Sequence, residues 1–245
     1  MRYSRAPIAE AVIDIQTSFK SPPVLSDLES LSGELSERFP LSQPISSFAV
    51  KFGSDGSGAP FASNASAAQL GIMRSTERND RMVHLRLQGL AYSHMPSYTD
   101  WDTFCGEMWP IWTRYQEVLS VTQVSRVAVR YINRIAIPDL VDIDDYLNLS
   151  PRIPETVSKH ITGYFLQVVL PQPDLGDGYR AIVNSGVEPG GHSKAASLLL
   201  DIDVSVEGSF SVAGDDVRQV LDRLRDRKNA IFEGSITNAV REIIK

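Results

Sequence analysis

The chain has a single cysteine, Cys105, so it can form neither an internal disulfide nor a thiolate-rich zinc site. No stretch reaches about 18 consecutive apolar residues, so the sequence encodes no membrane-spanning helix. The N-terminal run MRYSRAPIAEAVIDI carries two arginines, but Glu10 and Asp14 interrupt it before any signal-peptide-like apolar core. Four histidines, His84, His94, His160 and His192, are scattered with no HxxxH or HxH spacing to hold a metal. The glycines of GSDGSG and EPGG are followed by no Lys-Ser/Thr pair, and no GxGxxG opens a helix, so no cofactor is indicated. Cationic excess is lacking too. The net charge of −6 argues against a dedicated nucleic-acid coat. The expectation is a cytoplasmic protein without membrane, metal or cofactor.

What is present is ordinary for a globular chain with a real core, 42% hydrophobic and 22% charged over 245 residues. Its most distinctive stretch is VSRVAVRYINRIAI, residues 124–137, a predicted strand with an arginine at every fourth position. Side chains alternate along a strand, so Arg126, Arg130 and Arg134 share one face with Ala128 and Ile132. Val127, Val129, Tyr131, Ile135 and Ile137 face the other way, toward a core. Three guanidiniums on one side need counter-charges, water or a ligand.

Around that strand the periodicity predicts a strand at 8–19 and a helix over 22–39 stopped by Pro40. Strands follow near 46–53, 68–76 and 80–92, with a Gly/Ser/Ala-rich mobile link over 53–66. An aromatic-striped helix spans 99–119, N-capped by Thr99 and kinked at Pro110. The second half predicts a short helix at 142–148, strands near 160–170, 179–187 and 196–207, and a helix from 214 to 232 broken by Gly234. A short helix over 236–244 closes the chain. Both halves, 1–121 and 122–245, then read strand, helix, three strands, helix. The fold class is α+β: a mainly antiparallel sheet with helices on one face.

The whole chain resembles a sporadically distributed family of uncharacterised bacterial proteins. The residues that carry the resemblance are Ala6-Pro7-Ile8-Ala9-Glu10-Ala11, Tyr98 to Phe104, and Arg130-Tyr131-Ile132-Asn133-Arg134-Ile135. Leu200-Asp201-Ile202-Asp203-Val204 and Lys228-Asn229-Ala230-Ile231-Phe232-Glu233 before Ile236-Thr237 complete the set. The resemblance implies one intact bacterial protein and supplies no catalytic residues.

The arginine row has counterparts. Asp201 and Asp203 share a face in LLLDIDVSV, Glu10 and Asp14 do so in the first strand, and His84 and Arg86 do so in VHLRLQG. If these strands are neighbours, the charges form cross-strand pairs on a solvated face. The same face could instead grip an anionic small molecule or an acidic partner surface, because arginine's planar fork suits carboxylates and phosphates. Arg126, Arg130, Arg134, Asp201, Asp203, Glu10 and Arg86 are therefore the candidate ligand-binding residues. Two alternatives stand open. One is an interaction subunit of a bacterial defence or regulatory system, homodimeric or bound to a protein partner; the other is a metal-dependent hydrolase or nuclease using Asp201 and Asp203. Cys105, beside Phe104 in the aromatic helix, reads as a buried, inert thiol.

Overall fold

The computed structural model describes residues 3–54, 60–96, 98–137, 142–154, 156, 161, 163–188, 196–212 and 215–245. Nine described strands form one antiparallel sheet, and four α-helices accompany it, an α+β fold. The first half contributes β1 (Ile8–Phe19), α1 (Leu25–Glu34), β2 (Leu41–Ser54), β3 (Pro60–Ser75), β4 (Arg81–Arg86), β5 (Gly89–His94) and α2 (Trp101–Leu119). The second contributes β6 (Val121–Ile137), a 3-10 turn (Ile143–Asp145), β7 (Phe165–Pro171), β8 (Tyr179–Glu188) and β9 (Ala196–Phe210). Helices α3 (Asp216–Ser235) and α4 (Asn238–Ile244) end the chain.

The sheet order is β2-β3-β4-β5-β1-β6-β9-β8-β7. Read outward from the central β1–β6 pair, each half places its last strand next and then runs back to the edge. Both halves thus share a topology, with one strand more in the first. Register sets Ile13 opposite Tyr92 and Val129, and Val129 opposite Val204, so these apolar side chains project to one face. There they meet the stripe of α2, Phe104, Met108, Trp112 and Tyr115, and that of α3, Val217, Leu221 and Leu224, all buried. Each such side chain contributes roughly 1.5–3 kcal/mol by leaving water.

Several boundaries differ from expectation, each for a local reason. The segment 80–92 is two strands, because the chain turns at Leu87 and Gln88. Gly89 makes that turn possible: its φ is 153°, and a Cβ there would lie 2.2 Å from the Ile15 carbonyl oxygen. Helix α1 stops at Glu34 rather than Phe39. Arg74, buried on β3, donates to the carbonyls of Ser32, Phe39 and Pro40 and so satisfies that end. The link 53–66 is not a loose connection throughout, since Gly53 pairs with Phe61 and Ser54 with Pro60. Asp100, not Thr99, caps α2, its carboxylate accepting from the Thr103 amide at 2.8 Å. Helix α2 continues across Pro110. Helix α3 runs through Gly234, whose cost of about 1 kcal/mol is outweighed by packing. The expected helix at 142–148 is only a 3-10 turn. The EPGGHSK loop lies outside the described residues beyond Glu188, as do His160 and His192.

No described helix is long and apolar enough to cross a membrane.

Candidate functional site

The helix-free face of the sheet gathers the charged rows. Asp14 on β1 has Ala91 and Ala128 as its register partners, and these small side chains leave room for longer neighbours to reach it. Arg86 and Arg126 both do, at 2.5 and 3.0 Å. Arg126 also approaches Asp203 at 3.6 Å. Arg130 lies opposite Asp203 in register, but its guanidinium reaches diagonally to Asp201 in a two-point contact of 2.8 and 2.7 Å. Asp201, almost wholly buried, accepts from Asn184 as well, and Asn184 accepts from Gln167. This chain of bonds crosses four strands from β6 to the β7 edge.

The remaining candidates sit at the margins of that network. Glu10 shares the face and acts on Arg130 and His84 through space. Arg134 is exposed farther along β6. Burial pushes the Asp203 carboxyl up, against the lowering by Arg126 and Arg130, and its Oδ1 accepts no hydrogen bond among the described residues. Burial likewise lowers the His84 imidazole. The seven candidates therefore share one face, with Arg86, Arg126 and Arg130 each already holding a carboxylate. Asp201 and Asp203 do not converge on a common point: one is committed to Arg130 and Asn184, the other faces Arg126. Among the described residues no group of three or more His, Cys, Asp or Glu is placed to hold a metal ion.

The opposite face holds a cleft of about 990 Å³. Its walls come from the segment before β1, the turn leading into α2, the far end of β6 and the last turns of α3. At its base Tyr131, 1% exposed, donates to the Tyr98 hydroxyl at 2.9 Å. Asn133, also buried, donates to the Leu200 carbonyl at 2.9 Å. Arg225 lies over the Trp101 ring, whose indole donates to Asp222.

Lys228 is the side chain that sequence reasoning missed. It occupies a core position of α3, in register with Leu221, Leu224 and Phe232, and is 8% exposed. Its Nζ stands 3.7 Å from the centre of the Tyr131 ring and has no carboxylate or other acceptor among the described residues. Burial, helped by the nearby Arg225, lowers its amine to about 7. The neighbouring acids are engaged elsewhere: Asp100 caps α2, and Glu233 accepts from Tyr3 and Arg241. The signal was present in the sequence as a lysine on the apolar stripe Leu221-Leu224-Lys228-Phe232, where the three- and four-residue spacing calls for another hydrophobe. Cys105 is held as an inert thiol, pushed up to about 12 chiefly by burial.

The chain matches no protein-family model and no curated protein.

Five of the sequence segments singled out above meet in space or touch indirectly. Residues of four of them line the cleft: Ala6 to Ile8, Tyr98 to Trp101, Tyr131 with Asn133, and Lys228 to Ala230 with Phe232 and Glu233. The fifth touches it indirectly, through the Leu200 carbonyl that Asn133 holds.

Proposed function

We propose that this protein binds a small anionic molecule, and that the cleft on the helix-covered face is where it does so. The supporting observation is Lys228. A buried cationic side chain normally has a carboxylate partner, because an unpaired buried charge is expensive. Among the described residues Lys228 has only an aromatic face beneath it, which leaves its amine to a ligand group entering the cleft. Arg225, paired among the described residues only with the exposed Asp226, adds a second cation one helical turn away, the Tyr98 hydroxyl offers a polar contact, and the volume suits a metabolite-sized guest.

The open sheet face is the second place for an anion or an acidic partner surface, favoured by Arg130, which stays 46% exposed although Asp201 holds it. Native mass spectrometry of gently purified protein separates the two. Retained mass lost in Lys228→Met and kept in Arg130→Ala supports the cleft. The reverse pattern places the ligand on the sheet, and an apo mass for the wild type argues for an interaction subunit instead.

A further inference from the structure

We infer that Lys228 is a nucleophile that forms an imine with a small anionic carbonyl compound of the 2-oxo-acid type, whose carboxylate is gripped by Arg225. This deepens, and rests on, the reading of the cleft as an anion site. Arg225 and Lys228 are three residues apart on α3, so their side chains leave the helix on the same side, and both line the cleft. Arg225 already contacts the exposed Asp226 at 3.0 and 2.7 Å, and the incoming carboxylate would take that partner's place.

An amine attacks a carbonyl only through a free lone pair. Salt-bridged lysines lack one. Lys228 has neither carboxylate nor carbonyl partner among the described residues, and with its amine lowered to about 7 a substantial share is free base at neutral pH. The second requirement is a proton donor for the carbonyl oxygen. Tyr131 donates its hydroxyl proton to Tyr98, so the Tyr98 proton has no acceptor among the described residues and is available to the cleft. Burial holds the Tyr98 hydroxyl up at about 12, which keeps it protonated.

The chemistry closes without an oxidant or reductant. The Lys228 lone pair forms the N–C bond, and the C=O pair moves to oxygen. That oxygen takes the Tyr98 proton, which the attacking nitrogen replaces. The resulting hydroxyl then leaves as water with the second nitrogen proton. One amine and one carbonyl thus become one imine and one water.

The test treats the full chain with pyruvate and cyanoborohydride near neutral pH, followed by intact mass and peptide mapping. The expected result is one reduced adduct per chain at Lys228, formed on the order of a hundredfold faster than at the exposed Lys20 or Lys245. Tyr98→Phe should slow it by about tenfold or more. Lactate, the same anion without the carbonyl, separates the failures. If lactate and pyruvate bind with equal affinity and no Lys228 adduct is trapped, the imine is wrong and the anion site survives. Adducts scattered over surface lysines also overturn the imine. If neither acid binds, the cleft reading falls and takes the imine with it.

Discussion

The arginines of the open face and Lys228 of the covered face are held in opposite ways. On the open face, Asp14 serves Arg86 and Arg126 together, and Asp201 clasps Arg130 at two points. On the covered face, Lys228 is more deeply buried than any of those arginines and yet has no acid beside it among the described residues. Pairing turns a charge into structure; an unpaired buried cation carries a stability penalty and retains its reactivity.

Removing one charged side chain from each face should change stability in opposite directions. Asp14→Ala strands two partly buried guanidiniums and should lower unfolding free energy by about 2–4 kcal/mol, read from urea denaturation. A loss below about 0.5 kcal/mol would mean that solvent already screens these pairs and that the face is free to bind. Lys228→Met should act in the opposite direction, raising stability at neutral pH by about 1–3 kcal/mol while removing retained ligand. A destabilised Lys228→Met variant would show that the amine has a structural partner after all.

The pH dependence sharpens the same contrast. Lys228 titrates at about 7 in the folded chain, against 10.5 as an ordinary lysine. Between those values the unfolded state binds the extra proton, so wild-type stability rises with pH across that window, and below it the penalty is fully present. Lys228→Met lacks that rise, so its urea-derived stability should converge with the wild type's as pH climbs toward 10.5. Asp203 has the opposite sign. Burial raises its carboxyl above the usual 3.8, so the folded state holds the proton longer and stability falls as pH rises through that raised value. Asp203→Asn should remove this fall.

Much of this fold was legible in the sequence because its signals are periodic. The alternation in 8–19 fixed β1 to the residue, and the arginine row placed Arg126, Arg130 and Arg134 on one face as expected. Pairings between distant strands left no such trace. That Arg130 would reach Asp201 rather than its register partner Asp203 depends on side-chain reach, which spacing does not encode. The turn at Leu87 and Gln88 left only a one-residue slip in the apolar alternation, from Val83, Leu85 and Leu87 to Leu90 and Tyr92, which a single long strand with a bulge would also show. The cleft was illegible for another reason: it is assembled from the two chain ends and the middle, so no local window contains it. Only the misplaced lysine on the α3 stripe pointed toward it.

The smallest effect concerns the strength of one pair. Arg130→Lys keeps the positive charge but replaces the planar two-point grip on Asp201 with a single ammonium contact, an expected loss of about 0.5–1.5 kcal/mol. Asp201 retains its bond from Asn184, so the network from β6 to β7 should be weakened rather than broken. Added salt should shrink the difference between the two proteins, because Arg130 is 46% exposed and its attraction is partly screened. If the cleft is the ligand site, this variant retains the same bound mass as the wild type at every salt concentration. A bound mass that falls in step with the lost grip would instead tie the ligand to the arginine row, and the sheet face would then be more than a set of structural ion pairs.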